Sequence, residues 1–314
     1  MCTKVVVGID TSNYTTSCAV CDLEGKIIAS YKELLSVKEG ENGLRQSDAV
    51  FAHVKNFQII SARIKEKHAD YEIVAVGYSA YPRDAVGSYM PCFLVGKAVG
   101  EMISALYNIP AYAFSHQSGH IQAAMYSAGV ELQEEFIAFH VSGGTTEIIR
   151  AKPQTNACFD VEIIGGSVDL HAGQALDRIG VKMGLLFPCG KKIEELALEN
   201  KEKIPPVKVC VKGTSCNLSG LENLTFKLYE ETQDKKLVSA YALSFISKTI
   251  EKLTENIRKE KNDIKIIFAG GVMSNKIIQN NLAKKFDNVY FSEPEYSSDN
   301  ACGVALLTRK RFLD

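Results

Sequence analysis

The sequence predicts an α/β protein that uses one architecture twice. Two stretches carry that reading. In Phe136–Ala151, the apolar and β-branched runs Phe136–Val141 and Thr146–Ile149 flank Ser142-Gly143-Gly144-Thr145. Such runs around a Gly-Gly link read as a β-hairpin, with the glycines supplying the positive φ of a tight turn. A tip of this kind exposes successive backbone N–H groups as an anion-binding nest, and Ser142, Thr145 and Thr146 add hydroxyls. An ordinary hairpin tip is the other reading of that stretch alone. The second stretch lies near the start, where Val5–Asp10 leads through Thr11-Ser12-Asn13-Tyr14-Thr15-Thr16 into Ser17–Asp22. One strand–turn–strand unit in each half points to duplication, with two phosphate-facing turns.

A chain of 314 residues, 46% apolar and 23% charged, has room for two cores and the balance of an ordinary globular protein. Its formal net charge of −1 argues against a broad nucleic-acid-binding face, so an RNA partner needs a local patch or helper proteins. The nine cysteines lack zinc-type paired spacing. Cys18 and Cys21 lie within a strand whose alternation sends them to opposite faces, and all nine read as reduced thiols of a cytoplasmic protein. No basic stretch precedes an apolar core, and no apolar run approaches about 18 residues, so neither a signal peptide nor a membrane span is expected.

In order, Val5–Ile9, Ser17–Asp22 and Ile27–Leu34 read as strands and Gln46–Lys67 as an amphipathic helix, its apolar residues recurring at helical spacing. Strand Ile73–Gly77, helix Val95–Tyr107, strand Ile109–Phe114 and a Ser115-capped helix His116–Ala128 follow. The order β-β-β-α-β-α-β-α describes a sheet with helices on its faces. The polar segment Gly129–Glu134 marks the boundary, giving domains 1–128 and 129–314. Past it come the central hairpin, strand Phe159–Ile163, helix Val168–Met183, helix Lys192–Glu199, strand Val207–Val211, helix Leu237–Lys259 and strand Ile264–Phe268. A helix from Ser274, strand Val289–Phe291 and a last helix Ser298–Phe312 close the chain.

Four groups of residues can carry chemistry. His116 and His120 lie four apart on a helix, so their rings share a face and can share a metal ion; two polar side chains on a half-exposed face is the alternative. No Glu follows His116, which excludes the HExxH metalloprotease pattern. Gly270-Gly271 sits between a strand and a helix, a placement that suits a phosphate or a plain turn, with Asn275 beside it. Asp299 opens the last helix, as an N-cap or as a carboxylate completing a two-histidine metal site. Asp169 and Asp177 fall eight apart on the predicted helix Val168–Met183, on similar faces, as solvated charges or with Asp177 at a ribose hydroxyl.

Taken in order, GIDTS at Gly8–Ser12, HxxxH at His116–His120, VSGGT at Val141–Thr145, GGSVD to GQALDR at Gly165–Arg178 and PCG at Pro188–Gly190 form a pattern. LSGL at Leu218–Leu221, AGGVMSN at Ala269–Asn275 and SSDNACGVAL at Ser297–Leu306 complete it. Over nearly its whole length the chain resembles the TsaD-type tRNA threonylcarbamoyladenosine transferases, formerly described as O-sialoglycoprotein endopeptidases. The resemblance implies an actin/hsp70/sugar-kinase-like fold, with two RNase H-like lobes around a nucleotide cleft: residues 1–128 carrying HxxxH, residues 129–314 carrying the nucleotide motifs. It implies transfer of a threonylcarbamoyl group from threonylcarbamoyl-AMP to the adenosine beside the anticodon of tRNA. By that likeness His116, His120 and Asp299 would bind one iron or zinc ion acting as a Lewis acid. His140, Val141, Ser142, Gly143, Gly144, Gly270 and Gly271 would line the phosphate of the adenylate or of ATP. Asp177, Gly190 and Asn275 would hold ribose and adenine, and Asp10 and Ser142 would stand at the reacting group.

The chain departs from the family's pattern where that pattern is acidic. Tyr14 and Thr15 replace two carboxylates of a motif like ETSCDET, Thr145 replaces the histidine of SGGHT, and Leu44-Arg45-Gln46 replaces an acidic segment. The expected activity is therefore a metal-dependent threonylcarbamoyl or carbamoyl transfer, with tRNA presented by partner proteins and a paralogue heterodimer or a homodimer as assemblies. The rivals are a nucleotide-binding regulatory or scaffold subunit, a carbamoyltransferase with another acceptor and, with Asp10 as its one candidate base, a small-molecule kinase.

Overall fold

The structure, a computed structural model, describes residues 2–12, 14–35, 44–67, 71–155, 158–293 and 300–314. Contacts within the chain divide it into two units: residues 1–131, 153–160 and 295–314, and residues 132–152 with 161–294. Two segments beyond residue 128 thus belong to the first unit, among them the C-terminal helix.

Unit 1 holds β1 (Thr3–Thr11), β2 (Thr15–Asp22), β3 (Ile27–Leu34), β4 (Tyr71–Tyr81) and β5 (Ala111–Ser115) in the order β3-β2-β1-β4-β5. β1 to β3 form an antiparallel meander, and β1, β4 and β5 run parallel. Helices α1 (Gln46–Lys67), α2 (Phe93–Tyr107) and α3 (His116–Ser127) fall close to the positions their periodicity predicts. Strand alternation separates two apolar layers. Val6, Ala19 and Cys21 meet the C-terminal helix, while Val7, Ile9 and Cys18 pack with Ile60 of α1, so Cys18 and Cys21 do face opposite ways.

Unit 2 holds β6 (Phe136–Val141), β7 (Thr146–Pro153), β8 (Phe159–Ser167), β9 (Cys210–Lys212), β10 (Ser215–Asn217), β11 (Ile266–Ala269) and β12 (Val289–Phe291). Their order is β12-β11-β6-β7-β8-β10-β9. Read from β8, the strands β8-β7-β6-β11-β12 repeat the 3-2-1-4-5 order of unit 1, with β6–β7 antiparallel and β6, β11 and β12 parallel. The duplication extends from the turns to the topology. Helices α4 (Ala172–Lys182), α5 (Gly190–Leu198), α6 (Ser219–Thr232), α7 (Lys235–Arg258) and α8 (Lys276–Lys285) surround this sheet, and α7 buries fourteen residues in the core. The last helix, α9 (Asn300–Leu313), belongs to unit 1. Among the described residues no helix is long and apolar enough to cross a membrane.

Two expectations need correction. The helix predicted over Val168–Met183 begins only at Ala172, so Asp169 and Asp177 do not share a helix face. Asp169 instead accepts hydrogen bonds from Leu170 N (2.6 Å), Leu218 N (2.8 Å) and Ser219 Oγ (2.6 Å), tying the α4 loop to the start of α6. Burial alone would raise its carboxyl pKa, but those donors hold it below the usual carboxylate range. Asp169→Asn is expected to lower stability by about 1–2 kcal/mol, since the site is exposed and solvent offsets part of the loss. The depressed folded-state pKa stabilises at neutral pH, and that contribution fades as pH falls below about 4. Urea titrations at pH 7 and pH 3.5 should therefore show the two proteins converging in acid.

The second correction concerns the hairpin turn. β6 and β7 pair up to Val141↔Thr146, and Ser142 N donates to Thr145 O at 2.7 Å, but neither Gly143 nor Gly144 has a positive φ. Their bareness serves access: a Cβ on either would meet nothing within 4 Å. Positive φ occurs instead at glycines packed against the hairpin end, such as Gly270, at φ 101°, where a Cβ would also stand 2.3 Å from Val141 O.

Candidate functional site

Each unit builds one cluster of polar groups at the ends of its central strands. In unit 1, β5 runs directly into α3, whose N-cap Ser115 accepts from Ser118 N at 3.0 Å. One helical turn then separates His116 from His120. Their Nε2 atoms face each other at 3.0 Å, with ring centroids 4.4 Å apart. Behind His116, Nδ1 lies 2.8 Å from Oδ1 of Asp10, which is 1% exposed at the end of β1. Burial would raise the Asp10 carboxyl pKa, yet the charge and hydrogen bond of His116, with the bond from Asn300, keep it well below the usual range. When His116 is neutral, a proton on Nδ1 shared with the ionised Asp10 leaves its Nε2 lone pair directed toward His120; Asn300 Nδ2 lies 2.7 Å from the same Nδ1.

Asn300, the first residue of α9, completes the cluster. Its amide Nδ2 donates to Asp10 Oδ1 at 2.9 Å and to the His116 carbonyl at 3.0 Å. α9 reaches it through close helix contact: a Cβ on Gly303 would lie 1.8 Å from Gly119 O. At the start of α3 the Asp84 carboxylate accepts from Ser115 Oγ and from Ser118 Oγ (2.9 Å), a favourable place for an anion.

The histidine pair suits a metal ion. Two imidazole nitrogens, each about 2.0–2.1 Å from one ion, can lie no more than about 4 Å apart, and 3.0 Å is inside that span. A carboxylate orienting one imidazole from behind is the usual support for such a ligand. Asp299 lies outside the described residues, and among these no cluster of three or more His, Cys, Asp or Glu side chains is assembled for a metal.

Unit 2 contains a pocket of about 530 Å³ lined by Gly143, Asp177, Gly190, Lys191, Gly271 and Asn275, with Glu194 and Lys276. Four separate stretches of sequence converge there. The start of α4 packs against the hairpin tip, where Gly173 N donates to Ser142 O at 3.1 Å. The Gly270-Gly271 loop is held by Val272 N donating to Val141 O at 3.2 Å. Asp177, on α4, accepts from Cys189 N at 2.8 Å and so anchors the loop entering α5. Gly143, Gly190 and Gly271 have no atom within 4 Å of an added Cβ, so bare backbone forms much of the wall. Gly271→Val is therefore expected to leave stability within about 1 kcal/mol of native while weakening nucleotide binding about tenfold. Calorimetric titration with ATP and a thermal melt would separate the two effects.

Of the residues assigned to this site by resemblance, Gly143, Asp177, Gly190, Gly271 and Asn275 line the pocket, whereas His140, Val141, Ser142, Gly144 and Gly270 do not. Val141 and Gly270 act through the backbone, as described above. Asn275 Oδ1 is already used, accepting from Ile277 N and Ile278 N as the N-cap of α8, and Glu194 accepts from Lys276 N at 2.6 Å. The start of α8 is thus already capped, by Asn275 and by Glu194, and the cations lining the pocket are Lys191 and Lys276. Burial and the charge of Asp177 push the Cys189 thiol pKa up, which argues against a nucleophilic role. Sequence reasoning gave no role to Asn300, Lys191, Glu194 or Lys276; Asn300 lies within SSDNACGVAL, Lys191 and Lys276 directly follow recognised motifs, and Glu194 stands one helical turn past Gly190.

A glycine-walled pocket and an oriented histidine pair, on two copies of one α/β topology, define the class: a protein of the actin/hsp70/sugar-kinase-like fold. Component A of the (R)-2-hydroxyglutaryl-CoA dehydratase of Acidaminococcus fermentans is similar at TM-score 0.55 and 14% identity, covering 99% of each chain. A ROK family glucokinase from Streptomyces griseus is similar at TM-score 0.50 and 10% identity, covering 97% of this chain and 98% of its own. Residues 43–306 match the family described as TsaD, tRNA N6-adenosine threonylcarbamoyltransferase. The chain belongs to that family of acyltransferases. A relative of that name from Francisella tularensis subsp. holarctica is 25% identical over 328 residues, covering 99% of this chain and 95% of the relative.

Proposed function

We propose that this protein transfers a threonylcarbamoyl group from an acyl-adenylate to the adenosine beside the anticodon of tRNA, in the cytoplasm, with partner proteins presenting the tRNA. The observation that carries the reading is the convergence of the His116 and His120 Nε2 atoms, with Asp10 behind His116. His116 and His120, joined by Asp299, would hold one iron or zinc ion. When bound, that ion supplies Lewis-acid polarisation of an acyl or phosphoryl oxygen. Asp10 acts as a positioning residue that keeps His116 in its ligating tautomer. Gly143, Gly190 and Gly271 admit the adenylate close to the backbone, Lys191 and Lys276 offset phosphate charge, and Asp177 stands near the ribose. Ser142, Gly144 and Gly270 shape the phosphate side of that site.

Tyr14, half exposed, and Thr15 favour a second reading, in which the same binding sites serve a regulatory subunit or a carbamoyl transfer to another acceptor. The deciding experiment supplies labelled threonylcarbamoyl-AMP and tRNA to the purified full chain, with partner fractions added, and assays bound metal in parallel. Label in tRNA together with stoichiometric metal supports the transferase. Tight adenylate binding with no label in tRNA overturns it in favour of the second reading.

A further inference from the structure

Unit 2 contains another cavity, of about 210 Å³, remote from the glycine-walled pocket. Its walls come from the opposite end of the β6–β7 hairpin: Ile137 and Arg150 pair directly, four residues along β6 from the Val141↔Thr146 pair beside the tip. At 3.4 Å per residue the two ends lie roughly 14 Å apart along the strand. Ile137, Ile164, Ile257 and Ile264 give the cavity a branched aliphatic lining, and three of the four are at most 5% exposed. Charged groups surround it. Arg150 is already engaged by Glu162 at 3.0 Å and Glu260 at 3.7 Å. Glu135 and Lys261 also line the cavity, and neither has an ion-pair partner among the described residues. Glu135 is half buried and Lys261 is exposed, so both carry their charges at the rim of the apolar lining.

We propose that this cavity is a binding site for a small zwitterion with a branched aliphatic side chain, that is, a free amino acid of the leucine or isoleucine type. The volume corresponds to about seven liquid-water volumes, enough for a ligand of that size and too small for a nucleotide. The side chain lies on the isoleucines, the ammonium group pairs with Glu135 and the carboxylate with Lys261. A ligand bearing only one charge leaves one of these side chains unpaired, so the pairing selects for both. The site is independent of the nucleotide pocket and of the proposed transfer reaction.

The test titrates the full chain by calorimetry with L-leucine, with 4-methylpentanoate, which lacks the amine, and with isoamylamine, which lacks the carboxylate. Glu135→Gln and Lys261→Met chains are titrated alongside, both being changes near the surface. The expected result is saturable leucine binding, weakened about tenfold by either substitution, with each single-charge analogue also weaker by about tenfold. Absence of saturable binding up to tens of millimolar leucine overturns the proposal, as does binding that neither substitution alters.

Discussion

His120→Ala is expected to abolish metal retention and to lower transfer by about a thousandfold, the largest single-residue effect on activity. Two Nε2 atoms 3.0 Å apart can chelate one ion, and removing one would leave a lone imidazole whose affinity for a divalent ion is far weaker. The fold should tolerate the change, because His120 is half buried and His116, not His120, binds Asp10 and Asn300. The measurement is metal content by mass spectrometry beside transfer kinetics and a thermal melt. A His120→Ala chain that keeps stoichiometric metal would show that the ion, if present, is held elsewhere.

Gly303→Ala is expected to be the most damaging substitution for the fold and, through it, for the site. The added Cβ would stand 1.8 Å from Gly119 O and 2.7 Å from Gly119 C, backbone atoms that no rotamer change can move aside. α9 would have to retreat from α3. Overpacking of this kind costs about 3 kcal/mol, which corresponds to a loss of roughly 10 °C in Tm. α9 carries Asn300 and α3 carries both histidines, so separation also pulls the Asn300 amide away from Asp10 and the His116 carbonyl. Metal affinity should fall together with Tm. Calorimetric unfolding of the metal-free Gly303→Ala chain checks the first effect and a metal titration below its Tm the second; an unchanged Tm would refute the packing argument.

Much of this was legible in the residues. Apolar and β-branched runs flanking short turns in Val5–Asp22 and Phe136–Ile149 marked the central hairpin of each unit, and the four-residue spacing of His116 and His120 was enough to put both rings on one face. These signals are local, set by strand pleat and helical pitch, so they survive in one dimension. Helix α6 was not legible, because only Leu221 and Thr225 of its fourteen residues are buried and the apolar stripe is too thin to read. Asp169 was misplaced for a related reason: its loop is extended by bonds to Leu218 and Ser219, about fifty residues away.

By itself, then, the sequence determined most of the elements and their order, the repeated hairpins and the pairing of the two histidines on one helix face. Only the tertiary structure decided that Asp10 meets His116, that Asn300 returns from the far end of the chain to hold both, and that Glu194 accepts from the first N–H of α8. Those outcomes depend on which distant atoms meet. Hydrogen bonds between residues 106 or 290 positions apart leave no period in the sequence that could announce them.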